Sequence, residues 1–82
     1  MDIEERIIQD IRKFDDSVRK FNLEKAKRIK DEDFIKILEL AKMYASDSNV
    51  WLKKHDYYTA FASISYAHGL LDALLKLLHI IE

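Results

Sequence analysis

The chain has 82 residues, 35% charged and 49% hydrophobic, with no proline, no cysteine and one glycine. That length makes one domain, residues 1–82, with a small core. Disulfides and thiolate metal sites are excluded, and without turn signals to separate short alternating runs the fold class is all-α with short connections. The net charge of −1 is unevenly spread. Acids dominate before Ile11. Arg12, Lys13, Arg19, Lys20, Lys25, Lys27, Arg28 and Lys30 then form a basic block, and acids outnumber bases again from Asp31 onward.

The spacing predicts a first helix from about Asp2 to Phe21. Ile7, Ile11, Phe14, Val18 and Phe21 recur at alternating three- and four-residue steps, which makes a single apolar stripe. Asp2, Glu4 and Glu5 suit the positive N-terminal end of the helix dipole, and Arg19 and Lys20 the negative end. Asn22 is a plausible stop. From Leu23 to Lys30 the reading stays open between a continued helix and a separate turn.

The second helix is predicted to begin at Asp31, whose carboxylate can cap free backbone N–H groups, and to end near Lys53-Lys54-His55. Phe34, Leu38, Ala41, Ala45, Ser48 and Leu52 form one stripe. Ile37, Leu40, Tyr44 and Trp51 form a second beside it. The third helix starts at a second cap, Asp56, and runs close to Glu82. It carries two seams, one through Tyr57, Ala60, Ile64, Ala67, Leu71, Leu74, Leu78 and Ile81, the other through Tyr66, Leu70, Ala73, Leu77 and Ile80. Two seams on one helix call for two neighbours, or for one neighbour and a partner chain. The predicted architecture is an up-down-up bundle of three long helices, each of ~20–25 residues and so ~30–37 Å at the α-helical rise.

Gly69 lies inside the third helix, where a glycine costs about 1 kcal/mol relative to alanine. Antiparallel helices joined near His55 pair residues whose numbers sum to about 110. Ser48 then faces Ala62, Ala45 faces Ser65, Ala41 faces Gly69, and Tyr44 meets Tyr66. Small residues in opposition allow close approach, so these six small residues are the expected helix contact, Gly69 among them; the alternative is a glycine kept clear for a substrate.

Polar candidates are few. Tyr44, Asp47, Tyr58, Tyr66 and His68 are expected to form a cluster near the middle of the helix pair, with Asp72 interrupting an apolar run nearby. Buried polar groups need partners, so mutual hydrogen bonding is the first reading and a small-ligand site around Tyr44, Asp47, Tyr66, His68 and Asp72 the second. His68, Asp72 and His79 share a helical face, but ligands from one helix alone make a weak metal signal, and neither a metal nor a cofactor is expected. No phosphate loop, catalytic triad or acid/base carboxylate pair is present. Ser46-Asp47-Ser48-Asn49 lies mid-helix without a nearby base. Most of the aromatics are expected on core stripes rather than as a stacking platform for bases.

Met1 to Asp10 is acidic and amphipathic, unlike a secretory leader. Asp72, Lys76 and His79 break the C-terminal apolar run, so it is expected to be too short and interrupted to span a bilayer. A cytoplasmic protein is the expectation. The bias toward Lys, Glu, Asp and Ile over Gln, Asn and Cys is of the kind seen in thermophile proteins.

Three stretches carry a family resemblance: Ala41-Lys42-Met43-Tyr44-Ala45-Ser46-Asp47-Ser48, then His55-Asp56-Tyr57-Tyr58-Thr59-Ala60-Phe61, then Ser65-Tyr66-Ala67-His68-Gly69-Leu70-Leu71-Asp72-Ala73. Together they resemble the small archaeal proteins grouped as domain of unknown function 357. The resemblance runs from Phe34 to Ala73, and the first helix is alike only in kind. The family's acidic-glycine turn stands here as His55-Asp56. The resemblance implies three long helices and an archaeal source, and it supplies no activity. The stretch from His55 to Ala60 is also similar to the turn of tetratricopeptide hairpins, but no repeat is present.

The leading functional reading is a non-catalytic protein-interaction module, with a homodimer or other protein partner held by the apolar end of the third helix (Leu74, Leu75, Leu77, Leu78, Ile80, Ile81). The alternatives are nucleic-acid binding through the basic segment 12–30 by charge, and the ligand site named above.

Overall fold

A computed structural model describes residues 2–24 and 31–81, with side chains through Phe21 and from Asp31 to Leu78. Three helices follow one another: α1 Ile3–Glu24, α2 Glu32–Lys53 and α3 Tyr57–Ile81. Contacts between α1 and α3 run in step, from Glu4 with Tyr57 to Asp10 with His68, so these helices are parallel and α2 returns between them. The up-down-up order is therefore the observed one. α1 ends later than the expected Phe21 and passes through Asn22, whose weak stop signal is overridden. The readings made for residues 25–30 and for the side chains of Ile80 and Ile81 lie outside the described residues.

Each helix start has a local cause. Asp2 Oδ1 accepts from the Glu5 N–H at 2.8 Å, Asp31 Oδ1 from the Phe34 N–H at 3.0 Å, and Asp56 Oδ1 from the Thr59 N–H at 3.1 Å. Asp56 Oδ2 also accepts from the Thr59 hydroxyl at 2.8 Å. Each carboxylate satisfies a donor that has no partner inside the helix.

The α2–α3 turn is a Schellman closure. The His55 N–H donates to the Leu52 carbonyl and the Asp56 N–H to the Trp51 carbonyl, both at 3.0 Å. This geometry places His55 in the left-handed region, at φ 62°. Glycine is the usual occupant there, and another residue costs roughly 1 kcal/mol or more. The helix ends near Lys53-Lys54-His55 as the sequence predicts, but the closure itself leaves no residue signature when glycine is absent.

The core follows one seam from each helix. Ile7, Phe14 and Phe21 come from α1, Phe34, Leu38, Ala41, Ala45 and Ser48 from α2, and Ala60, Ile64, Ala67, Leu71, Leu74 and Leu78 from α3. Phe21 and Phe34 stack with ring centres 5.7 Å apart. The most extensive pairing is between α2 and α3, and α1 packs more on α3 than on α2. The fully buried Ser48 donates its hydroxyl to the Ala60 carbonyl at 2.6 Å, so the two helices touch there without an unpaired polar atom.

The small-residue contact differs from the expected one on the α3 side. Ala41, Ala45 and Ser48 are buried, but Ala62, Ser65 and Gly69 are exposed. A Cβ added to Gly69 would meet nothing within 4 Å. Equal height on two helices does not fix rotation. Ala62 and Gly69 each lie two residues past the core positions Ala60 and Ala67, about 200° around the helix, on its far side. Ser65 lies two residues before Ala67. The close approach is made instead by Ala60 and Ala67.

Candidate functional site

The expected polar cluster is not assembled. Tyr44 and Tyr66 do meet, edge to face, with ring centres 4.6 Å apart at 85°. Asp47 is exposed, and Tyr58 is 93% exposed. His68 lies on the opposite side of α3, where its Nε2–H donates to the Asp10 carbonyl of α1 at 2.7 Å and its ring stands edge-on to Phe14. A carbonyl only accepts, so Nε2 carries the hydrogen. His68 is thus a tie between α1 and α3. Asp72 is exposed and pairs with Lys76 one turn later at 2.9 Å. The sequence placed these residues together by height along the helices, and the rotation of α3 separates them. Among the described residues no group of three or more His, Asp or Glu is placed to hold a metal ion, and no buried side-chain nitrogen or oxygen lacks a hydrogen-bond partner.

A hydrogen-bonded chain not anticipated from the sequence closes the end of the bundle at the α2–α3 turn. The Tyr57 hydroxyl donates to Glu4 Oε2 at 3.2 Å and lies 3.0 Å from His55 Nδ1. With its hydrogen committed to Glu4, the hydroxyl receives one from His55 Nδ1. Loss of solvation, then the hydrogen bond to Glu4 and the charges of Glu4 and Asp2, hold the Tyr57 phenol above its ordinary pKa. Ile3, Tyr58 and Phe61 line an open hollow beside this chain, and the Arg6 guanidinium lies 5.8 Å from the centre of the Phe61 ring. Asp56 borders the same hollow, but its carboxylate caps α3. Glu4 and Tyr57 are 53 residues apart in the chain, and no local pattern announces their meeting.

The second feature is a face. α1 occupies one side of the α2–α3 hairpin, reaching His68 and Tyr57 on α3 and the groove edge at Lys42, Ala45 and Asn49 on α2. The other side carries the second stripe of each helix: Ile37, Leu40, Tyr44 and Trp51 from α2, and Tyr66, Leu70 and Leu77 from α3. Tyr44 and Leu70 pack against the core beneath. Ile37, Leu40 and Trp51 are a little over one-third exposed, Tyr66 50% and Leu77 47%. The Tyr44–Tyr66 contact joins the two stripes into one continuous band. By helical rotation Asp47 lies within the α2 stripe, one heptad from Leu40, while Lys36 stands along the α2 margin, both exposed; at the Trp51 end the Lys54 ammonium lies 5.1 Å from the centre of the indole.

The surface expected at the end of α3 is therefore redistributed. Leu74 and Leu78 are buried in the core, whereas Leu77 belongs to a band that α2 shares. Of the aromatics, Phe14, Phe21 and Phe34 are buried and Tyr44, Tyr57 and Phe61 half-buried, while Trp51, Tyr58 and Tyr66 lie at the surface. The stretch Tyr57–Leu78 is long and apolar enough to cross a membrane by length and composition, contrary to the expected interruption. Its apolar content has two local uses, a buried core seam and the exposed band.

On α1, Arg12, Lys13, Arg19 and Lys20 are exposed, with the acids Asp15 and Asp16 interleaved among them. Arg19 pairs with Asp16 at 3.6 Å. Lys25, Lys27, Arg28 and Lys30 lie outside the described residues.

A family model described as "Protein of unknown function (DUF357)" matches residues 9–79. The chain belongs to this family. The DUF357 match covers most of α1 as well as the hairpin, and so extends beyond the Phe34–Ala73 stretch on which the resemblance rests. It takes in both stripes of the exposed face and the His55–Asp56 turn. No curated protein matches the chain.

Proposed function

We propose that this DUF357 protein is a non-catalytic interaction module that docks a protein partner on the α2–α3 face opposite α1. The observation that carries this reading is the continuous apolar band from Trp51 to Leu77. It is apolar apart from Asp47 in the α2 stripe, and Lys36 stands at its margin, so apolar and polar groups meet on it as they do in a protein–protein interface. Aromatic anchors are the residues most enriched at the centres of such interfaces, and Tyr44, Tyr66 and Trp51 supply them. Six titratable groups elsewhere have structural uses: Asp2, Asp31 and Asp56 cap helices, while Glu4, Tyr57 and His68 tie α1 to α3.

The test is affinity capture from a native host on the immobilised chain, with a Leu40→Glu/Leu77→Glu variant as the comparison and circular dichroism to show that its helices persist. Proteins held by the wild type and released by the variant, with Trp51 and Tyr66 protected from oxidative footprinting in the complex, are the expected result. Identical capture by both forms would overturn the assignment of the face.

A further inference from the structure

We propose that the hollow at the α2–α3 turn binds a small organic cation, an ammonium group on a compact apolar body. Ile3 of α1, the turn residues His55 and Asp56, and Tyr57, Tyr58 and Phe61 of α3 line it. It shares no residue with the apolar band on the α2–α3 face, so it is a separate site at the end of the bundle.

Size and lining suit a small molecule. The hollow measures about 590 Å³. Ligand clefts span roughly 300–1,000 Å³ and are walled mainly by apolar and aromatic side chains with a few polar groups among them. Here three rings and Ile3 supply the apolar wall, and His55 and Asp56 supply the polar part. Part of that wall faces water when the hollow is open, since Tyr58 is 93% exposed and Ile3 45%. An apolar body seated there removes this surface from solvent.

Charge selects the class of occupant. Aromatic faces attract a cation within about 6 Å of the ring centre. The Arg6 guanidinium, 5.8 Å from the centre of the Phe61 ring, is a cation already drawn to one of the three. Arg6 is held by Asp10, whose two carboxylate oxygens accept its Nε–H at 3.3 and 3.2 Å, and it does not line the hollow. Among the described residues no lysine or arginine does. Lys54, next to the turn, stands over the Trp51 indole. On the acidic side, Asp56 borders the hollow and Glu4 joins it through the Tyr57 hydroxyl. Loss of solvation, and then Glu4 and Asp2, raises the pKa of the Tyr57 phenol, so the field of these carboxylates reaches the lining itself. The positive end of α3 would favour an anion, but the Asp56 carboxylate already answers it with both oxygens on Thr59. An anion would meet Asp56 and the field of Glu4 and Asp2. A cation with an apolar body satisfies both the rings and the field.

The backbone at the turn agrees. His55 occupies the left-handed region at φ 62°, where glycine would be unstrained. Strain of this kind clusters at ligand sites. The His55 ring is one wall of the hollow, fixed by its Nδ1 at 3.0 Å from the Tyr57 hydroxyl. Glycine would relieve the backbone and remove that wall.

The experiment titrates benzyltrimethylammonium into the isotope-labelled chain and follows backbone amides by two-dimensional NMR. Benzyl alcohol is the neutral comparison, phenylacetate the anionic one, and α-N-acetyl-lysine amide stands for the side chain of a protein. Tyr58→Leu removes an exposed ring of the hollow and Glu4→Gln removes a charge. Tyr66→Leu, which removes an exposed ring on the α2–α3 face, is the control. Circular dichroism shows that the helices of each variant persist. Saturable shifts with benzyltrimethylammonium, centred on Ile3 and on His55 to Phe61, are the expected result. The dissociation constant should rise about two- to fivefold in Tyr58→Leu, rise in Glu4→Gln, and stay unchanged in Tyr66→Leu. The absence of saturable shifts at these amides overturns the inference, as does unchanged binding in both Tyr58→Leu and Glu4→Gln. An equal response to benzyl alcohol or to phenylacetate overturns the selection of a cation. A stronger response to the lysine amide than to benzyltrimethylammonium assigns the cation to a protein side chain and overturns the small-molecule assignment.

Discussion

Replacing Gly69 by alanine should stabilise the fold. Gly69 sits in the interior of α3, in the right-handed helical conformation, on its exposed side. Alanine in a helix interior is favoured over glycine by about 0.5–1 kcal/mol, because glycine surrenders more backbone freedom on folding. The gain is realised only if the new methyl group has room, and a Cβ built at Gly69 finds no atom within 4 Å. No steric term opposes the entropic one. For a domain of this size 1 kcal/mol moves the melting temperature by about 4–8 °C, so Gly69→Ala is expected to raise Tm by roughly 2–8 °C. Thermal unfolding followed by circular dichroism measures it, and urea titration with a raised midpoint and an unchanged m-value shows a gain in stability without a change in the surface exposed on unfolding. A lower Tm would refute the reasoning. It would mean that a chain approaches Gly69 closely in solution, and the far side of α3 would then be part of an interface.

Other substitutions test the contacts between helices. Ser48→Ala removes the hydroxyl that meets the Ala60 carbonyl and should destabilise by about 0.5–1.5 kcal/mol in urea titration; no loss would show that the bond adds nothing beyond packing. His55→Gly relieves the left-handed backbone strain and should stabilise by roughly 0.5–1 kcal/mol, whereas a loss would show that the His55–Tyr57–Glu4 chain outweighs the strain. The Tyr57 phenol has a folded-state pKa above the ordinary 10.0, so the folded chain holds this proton more tightly than the unfolded one. Its contribution to stability is present in full below about pH 10 and is lost as pH rises through the folded-state value. Ultraviolet titration should show a late-ionising tyrosine that disappears in Tyr57→Phe and moves earlier in Glu4→Gln, and ionisation of Tyr57 at its ordinary value would contradict the geometry. Phe14→Ala empties the centre of the α1 stripe and should cost about 3–5 kcal/mol, measured by the same denaturant titration.

The sequence by itself determined the three helices, their order and the core seam of each. Those features rest on local physics. Asp31 and Asp56 cap donors three residues ahead, and apolar residues at three- and four-residue steps mark one side of a helix whatever lies opposite. The pairing of Tyr44 with Tyr66 was also legible, since a short turn near His55 fixes which heights of α2 and α3 coincide. Height is not rotation, however. The way α3 turns about its own axis is decided by how Ala60, Ile64, Ala67 and Leu71 nest against two other helices at once. That turn carries Gly69, Ser65 and Ala62 into solvent, sends His68 to the Asp10 carbonyl 58 residues away, and leaves Asp47 and Asp72 apart at the surface. The second seam of α3 was visible as a seam, but that it lies on the side away from α1 and merges with the second stripe of α2 into one face is a property of the packed hairpin. Only the tertiary structure could decide it, because a helix records in its own residues that it needs a neighbour, while the identity of that neighbour depends on chains and segments far from it in sequence.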